Sequence, residues 1–480
     1  MIRLFSTIVL LTASLASLSG QEVWSLQRCV QYALDNNLQI QQAEVTARNA
    51  ELDVSFNQFS RLPNLSASVS GGYQFGRTID PTTNAFNNTS IGFNSFQLSA
   101  GATVFSGGRI NNSIKQSQFS QRAARLDAQD TRQTIALSVA TTFLNVLLAE
   151  EQLANAQTQL QLSRQQLERT NRLIAAGSLP ANNRLDLEAQ VARNEQLVVE
   201  GQNSVDMAYL NLKQLMQLDP QQAIRIDRPD LAVNDADLLQ QFEVETVYNA
   251  ALQNQPSVEA AQLRYASAEA GEKVAQAGYY PTLNVFGSLS SNYSSVSRDI
   301  SNPNTDNAQL VESSPTPVNI NGEPATVTFF QIEGITYPTT PYFDQINENF
   351  GQSLGVSLSI PIYSNHRNNI SMERARLNTL SAQVQSQQVQ DQLKADVQQA
   401  VTAFRAARNS YLAAQRSLES AQAAFDDAQR RFDLGAIGSF EYNDSVDNLD
   451  LARVEMTRAK YQFLFNLKVV EFYLGQPLQF

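Results

Sequence analysis

Four short segments of alternating apolar and polar residues constrain the fold of this chain more than any other feature. They lie at 64–75, 95–105, 282–293 and 352–363. A period of two is typical of a β-strand with one apolar face. None of the four contains Asp, Glu, Lys or Arg, although charged residues make up 17% of the 480 residues. Their polar positions carry Ser, Gly, Asn and Gln, and the third segment alternates less regularly because Phe286 breaks the pattern.

The exclusion of charge favours strands that face lipid. A tilted strand of about ten residues crosses the hydrocarbon core, and a Lys or Arg on its lipid face costs roughly 2–4 kcal/mol at the midplane. Four strands cannot close a barrel, which needs about eight, and open strand edges are not tolerated in lipid. The chain is therefore expected to oligomerise, with 76–94 and 294–351 as loops outside the cell. A soluble sandwich with one buried face is the alternative.

Residues 1–20 have the pattern of a secretory signal peptide, with Arg3 before an apolar run, so cleavage is expected near Gln21. No later run of eighteen consecutive apolar residues occurs, and no transmembrane helix is predicted. The formal net charge of −12 argues against nucleic acid as a partner. His366 is the only histidine and Cys29 the only cysteine. This composition argues against a metal cluster and against a nucleophile activated by histidine. We expect Cys29 to be buried on a helix face.

The sequence contains two related halves. Residues 33–44 match 251–262 at an offset of 218 residues, and beyond the strand-like segments the offset becomes 258, which pairs Gly177 with Gly435. The second half therefore holds about forty extra residues between its two strands. A duplication of this length predicts two structurally equivalent repeats. The predicted repeats span 21–243 and 244–480.

Apolar residues recur every seven positions ahead of both glycines. The series are Val146, Leu153, Leu160, Leu167 and Ile174 in the first repeat and Phe404, Tyr411, Leu418, Phe425 and Phe432 in the second. This period predicts left-handed coiled-coil packing. Gly177 and Gly435 suit helix C-caps with positive φ, so each repeat is predicted to contain a long helical hairpin and to begin with one further helix. The predicted hairpins span 109–217 and 367–474, and the predicted opening helices span 26–60 and 244–279.

In this arrangement the chain resembles the TolC family of outer-membrane efflux proteins over essentially its whole mature length. The motifs that carry the resemblance are LQRCVQYALDNN and YNAALQNQPSV at the repeat starts, LPNL and YPTL at the strand entries, TVFSGGRI and SIPIYSNHR at the strand exits, and GRTIDPTTNAF in the first loop. The resemblance implies a mainly α fold with membrane β. In it, a homotrimer forms a twelve-stranded β-barrel, four strands per chain, continued by a long α-helical coiled-coil tunnel in the periplasm.

The resemblance also implies a function. It indicates an export duct of a tripartite efflux or type I secretion system in the bacterial outer membrane, with a periplasmic adaptor and an inner-membrane pump as partners. Gly177 and Gly435 would then lie at the adaptor-facing tip. No cofactor, metal or catalytic residue is implied, and GGR at 107–109 lacks the Lys-Ser/Thr of a nucleotide-binding loop. The chain is therefore expected to conduct passively rather than to act as an enzyme.

A constriction at the periplasmic tip is a further implication. The positions that match the family's acidic pair are Glu441 and Asp444, and Phe432 stands where the family often has an aromatic residue. Six carboxylates in the mouth of a trimer would favour cations and respond to pH. Acids in the first turn of a helix are equally typical of a favourable interaction with the helix dipole. Ile437 replaces the family's usual Arg, and Asp186, which matches Asp444 in the first repeat, is interpreted as an exposed helix residue.

Two other classes of protein are weighed against a duct. A non-conducting structural coiled-coil protein of the envelope would fill its axis with apolar layers, whereas a duct keeps Ser, Asn and Gln towards a watery bore. An outer-membrane enzyme would depend on carboxylates alone, because the chain has one His and one Cys.

Overall fold

The computed structural model describes residues 23–79, 84, 86–87, 90–178, 180–228 and 233–476. The predicted signal peptide lies outside the described residues, as does part of the first-loop motif. The helices are α1 (Leu26–Asn36), α2 (Leu38–Phe59), α3 (Arg109–Ala175), α4 (Asn183–Met216), α5 (Asp235–Leu239), α6 (Val244–Asn254), α7 (Pro256–Gln276), α8 (Tyr342–Glu348), α9 (Arg367–Asp433) and α10 (Ser439–Tyr473). The strands are β1 (Val23–Trp24), β2 (Asn64–Gln74), β3 (Thr78–Ile79), β4 (Phe86–Asn87), β5 (Ile91–Ser106), β6 (Arg225–Ile226), β7 (Thr282–Ser294), β8 (Gln309–Glu312), β9 (Thr316–Ile320), β10 (Glu323–Val327), β11 (Phe330–Glu333) and β12 (Gly351–Ser359).

The described parts of residues 1–54, 115–269 and 376–480 form one compact helical unit. Its core is built around the fully buried rings of Phe143, Phe404 and Phe463. The Tyr411 ring stacks on Phe463 at 5.8 Å between centroids. Cys29 is buried in the same core, as its helical position predicts. Of the two heptad series, Val146, Phe404 and Tyr411 meet in this interior.

By length and composition, α3 contains one stretch that is apolar enough to cross a membrane. The search for uninterrupted apolar runs did not find this stretch, because a few Ser, Thr and Asn residues interrupt it and leave the mean hydropathy of the long helix high. That the chain has no transmembrane helix stays a prediction. The apolar residues of α3 from Ile135 to Leu147 pack into the helical core. Burial within the protein therefore accounts for part of this apolar stretch, of which 44% is buried.

The two opening helices, predicted as single helices over 26–60 and 244–279, are each broken in two. Asn37 separates α1 from α2 and Gln255 separates α6 from α7, both with extended backbone at ψ 127° and 116°. Pro256 forces its preceding residue out of the helical region. Asn37 instead uses its side chain, which donates a 2.9 Å hydrogen bond to a carbonyl of α4.

Two long helical hairpins end in matching glycine turns. We call α3–α4 the first hairpin and α9–α10 the second hairpin. Gly177 and Gly435 have φ values of +73° and +71°. At each turn the glycine N–H bonds the carbonyl three residues back, and the following N–H bonds the carbonyl five residues back. This is the Schellman pattern of a helix C-terminus, and the predicted positive φ is confirmed at both glycines.

The described parts of residues 55–114 and 270–375 form a second unit built on an antiparallel sheet in the order β12–β7–β5–β2. β2 ends one residue before the predicted limit, and β5 begins at Ile91, four residues before its predicted start. β12 ends at Ser359 rather than at residue 363. Pro361 explains that early end, because proline has no N–H for the ladder.

The strands lead into the long helices through two residues with left-handed backbone. Before α3 these are Gly107 and Gly108, at φ +60° and +81°. Before α9 they are Asn365 and His366, at φ +49° and +59°. A Cβ on Gly107 would lie 2.6 Å from the Cβ of Tyr280, so the first connection needs glycine. The only histidine of the chain is thus a turn residue.

The loop predicted over 294–351 contains regular structure. β9 and β10 form a hairpin, and β8 pairs with β11 outside it. Asn321 and Gly322 at the inner turn have φ values of +55° and +91°. An Asn-Gly pair after an alternating apolar stretch such as Val318-Asn319-Ile320 is a strong hairpin signal, which the interpretation of this segment as loop did not use. Gln345 of α8 is buried and accepts a 3.0 Å hydrogen bond from the Ser294 backbone.

Candidate functional site

One face of the four-stranded sheet is apolar and is uncovered within the described chain except at one end, where Tyr342 of α8 lies 4.7 Å from the Tyr293 ring. Paired positions place Leu65 opposite Ala100, Leu98 opposite Leu289, and Val356 opposite Val285. Leu65 is 70% exposed and Leu354, on the same face at the edge, is 85% exposed. Apolar surface of this extent is costly in water and is expected against lipid or a partner.

The opposite face is polar and bonds across strands. Ser66 pairs with Ser99, and Ser288 pairs with Ser353, each at 2.8 Å between hydroxyl oxygens. Phe286 is the exception that the sequence showed, and it lies beside Gly355. A Cβ on that glycine would stand 2.5 Å from the Phe286 ring. Glycine on the neighbouring strand thus provides the space for this bulky ring.

The sheet has two open edges among the described residues. β2 pairs only with β5, and β12 pairs only with β7. Each edge therefore presents backbone N–H and C=O groups that this sheet does not satisfy. Edges of this kind are templates for pairing with another chain.

The predicted constriction residues surround the second glycine turn. Glu441 lies in the first turn of α10, and its Oε1 is 3.6 Å from a guanidinium nitrogen of Arg431 at the end of α9. Arg431 therefore supplies a cation opposite Glu441 from the other side of the turn, while Ile437 is buried. Asp444 is exposed and accepts a 3.2 Å hydrogen bond from Asn448 on its own helix. No described contact joins Asp444 to Glu441.

Phe432 has a packing partner at this turn. Its ring stacks on Tyr442 of α10 at 4.7 Å, with the planes 20° apart. The turn is thus joined by an ion pair and an aromatic stack. These contacts lie within one chain, and a role of Glu441, Asp444 and Phe432 as a gate stays a prediction. The same holds for Gly177 and Gly435 as adaptor-facing residues.

Two further carboxylates continue the acidic series and were missed. Asp447 accepts a 3.2 Å hydrogen bond from Gln190 of α4, and burial raises the pKa of its carboxyl group. Burial also raises the pKa of Asp450 to about 6, against the lowering effect of Arg453. The signal was available, since positions 441, 444, 447 and 450 are spaced by three, which places each consecutive pair close together on the helix surface.

Asp186 is exposed in the first turn of α4, as interpreted from the sequence. Among the described residues, no group of three or more His, Cys, Asp or Glu side chains is arranged to hold a metal ion. The surfaces that the structure does present are an apolar sheet face, two open edges and a polar, partly acidic turn.

Comparison with known proteins agrees with these surfaces. The sequence matches the outer membrane efflux protein family over residues 29–216, 247–321 and 341–476. An uncharacterized protein of Haemophilus influenzae (strain ATCC 51907 / DSM 11121 / KW20 / Rd) is 25% identical over 281 residues. That match covers 58% of this chain and 59% of the relative's length.

Solved structures share the fold over nearly the whole chain. CusC, described in connection with transmembrane channel formation, gives a TM-score of 0.74 at 17% identity, covering 96% of each chain. The outer membrane protein VceC of Vibrio cholerae gives 0.74 at 14% identity, covering 95% of this chain and 97% of that one. The Campylobacter jejuni CmeC outer membrane channel gives 0.73 at 17% identity, covering 94% and 85%. With the family pattern present over most of its length, the chain belongs to the outer membrane efflux protein family, as its resemblance to TolC predicts.

Proposed function

We propose that three copies of this chain form a duct that passively conducts substrates from the periplasm, or from a pump, through the outer membrane. The observation that carries the proposal is the four-stranded sheet with one uncovered apolar face and two open edges. Edge-to-edge closure of three such sheets gives twelve strands and removes every edge. Closure of this kind satisfies backbone groups that lipid cannot.

The polar face then lines the bore. Its hydroxyl groups bond each other across strands, which keeps an uncharged, hydrated wall. The two hairpins continue the duct into the periplasm as a tunnel of coiled helices. One hairpin belongs to each of the two proposed repeats, which span 21–243 and 244–480. A periplasmic adaptor that docks at the glycine turns and an inner-membrane pump would supply direction and energy.

Planar bilayers test the duct directly. Purified full-length protein is expected to give stepwise conductance, and a non-conducting envelope coiled coil would give none. Neighbouring residues of β12 offer a matched pair of variants, because Leu354 faces the apolar side and Ser353 the polar side. Leu354→Arg should abolish insertion, since a charge on the lipid face costs about 2–4 kcal/mol. Ser353→Arg should insert and change only the ion selectivity.

Oligomeric state is tested separately by light scattering on detergent-solubilised protein. A mass of three chains supports the barrel, and a monomer with the sheet face covered would contradict it.

The proposed gate is tested by a separate experiment. Glu441→Gln combined with Asp444→Asn should reduce cation preference, with Asp186→Asn as the matched control. Unchanged selectivity in the double variant would remove the gate and leave the duct intact.

A further inference from the structure

A cavity lies between the two hairpins within the helical unit. Its volume is about 530 Å³, and residues of α3, α4, α9 and α10 line it. This volume lies within the range of about 300–1,000 Å³ that is typical of small-molecule sites. The gate residues Glu441 and Asp444 do not line it, so it is distinct from the proposed constriction.

Two hydrogen-bond acceptors in the cavity wall lack donors. Gln159 of α3 is only 8% exposed, and its Oε1 atom is buried without a hydrogen-bond partner. The Oδ2 atom of Asp450 in α10 is also buried without a hydrogen-bond partner, although its Oδ1 atom lies 3.9 Å from a guanidinium nitrogen of Arg453. A buried acceptor without a donor costs about 1–3 kcal/mol. A ligand that donates hydrogen bonds to both atoms would remove that cost.

The rest of the wall limits the chemistry of such a ligand. Apolar side chains contribute to it from all four helices, including Leu187 and Leu449, each 2% exposed, and the Phe425 ring. The charged lining residues are balanced, with three carboxylates and three guanidinium groups. They are Glu168, Asp447, Asp450, Arg169, Arg172 and Arg453. Arg453 is engaged, because it donates to Gln422 at 3.1 Å. The unsatisfied acceptors, rather than net charge, therefore select the ligand.

We propose that this cavity binds small organic cations in which a primary ammonium group is attached to an apolar body. The ammonium group donates to Asp450 Oδ2 and Gln159 Oε1, and the apolar body lies against the leucine and phenylalanine side chains. Because Gln159 belongs to the first hairpin and Asp450 to the second, a bound ligand links the two hairpins. Binding does not depend on whether the protein conducts.

Benzylamine and benzyl alcohol form the test pair, since they share an apolar ring and differ in the ammonium group. Calorimetric titration of the detergent-solubilised full chain should show benzylamine binding at least about tenfold more tightly, as expected for a charge-assisted hydrogen bond. Asp450→Asn should weaken benzylamine about tenfold and Gln159→Leu about fivefold. Asp206→Asn, an exposed acid of α4 outside the cavity, should change the affinity less than twofold.

Hydrogen exchange of the unmodified protein keeps the test independent of how the variants fold. Benzylamine should slow exchange on both hairpins, around 157–172 and 442–453, and benzyl alcohol should not. Equal affinity for amine and alcohol would overturn the proposal. So would amine binding that both cavity variants leave unchanged, or protection confined to other segments.

Discussion

The two hairpins share a backbone plan but bury different side chains. Towards its turn the first hairpin buries four polar residues. The second hairpin has alanine at three of the four positions 258 residues later and buries two of these alanines. The polar set is Gln159, Ser163, Thr170 and Asn194. The matching set is Ser417, Ala421, Ala428 and Ala452, of which Ala428 and Ala452 are buried. A helical pair can thus be closed either by hydrogen bonds or by close alanine contacts.

Matching positions also carry a polar link across each hairpin. Arg164 donates to Glu195 at 2.7 Å in the first hairpin, where both charges are half exposed. In the second, Arg453 donates to Gln422 at 3.1 Å. The position of the arginine is exchanged between the helices, and the link is kept. Position in the hairpin, rather than residue identity, therefore decides where the two helices are joined by a polar link.

The largest expected difference lies in the cores of the hairpins. Phe463→Ala should lower the free energy of unfolding by about 3–5 kcal/mol, because the fully buried ring packs against Phe404 and Tyr411. Val205→Ala, at the matching position of the first hairpin, should cost only about 1–2 kcal/mol. Denaturant unfolding of the detergent-solubilised protein measures both. Equal losses would show that the aromatic cluster does not distinguish the second hairpin.

The second-largest expected difference between the hairpins comes from a buried hydrogen bond in the first hairpin. Asn194 donates to the Ser163 hydroxyl at 3.1 Å, so Ser163→Ala should cost about 1–3 kcal/mol by leaving a buried amide unsatisfied. Adding Asn194→Leu makes the pair apolar, as in the second hairpin, and should reduce the loss to below about 1 kcal/mol. A double variant that is less stable than Ser163→Ala alone would contradict this account of the contact between the two helices. The same unfolding assay applies.

The pH effect of Asp450 has no counterpart at the matching position of the first hairpin, which Ala192 occupies. The pKa of Asp450 is raised from 3.8 to about 6 by burial, with Asp447 also raising it and Arg453 lowering it. The folded chain therefore holds this proton more tightly than the unfolded chain, and the contribution of Asp450 to stability falls as pH rises from about 4 to about 6.

Asp450→Asn should remove that decline and stabilise the protein at pH 7 by about 1–2 kcal/mol, allowing for partial solvent access. Unfolding measured across this pH range is the check. Asp206→Asn is the control, since its side chain is exposed, and it should follow the unmodified protein. A variant at Asp450 that keeps the full pH dependence would assign the effect to another group.

The smallest effect concerns the exposed link. Glu195→Gln replaces an Arg–Glu pair by the Arg–Gln chemistry of the second hairpin and should change stability by no more than about 0.5 kcal/mol, because exposed ion pairs are weak. Added salt should remove what difference there is. A loss well above 1 kcal/mol at low salt would show that this pair is stronger than its exposure implies.

The sequence by itself determined the four strands of the sheet, the two hairpins and their order. Alternation without charge placed all four sheet strands, and the period of seven with glycine at its end placed both hairpins and their left-handed turns, because side-chain periodicity and positive φ are local properties. The family likewise followed from motifs in order. The two helix breaks differ in how far the sequence predicts them. Pro256 predicts the break at Gln255, but the break at Asn37 depends on a hydrogen bond to a distant helix.

Only the tertiary structure decided what the side chains meet. The pairing order β12–β7–β5–β2, the stack of Phe432 on Tyr442, and the opposition of Arg431 to Glu441 all join residues from different elements. The raised pKa of Asp450 and the unsatisfied Gln159 depend on burial between helices that are far apart in sequence. Burial and partner choice are sums over neighbours brought in by folding, and no local pattern of residues contains them.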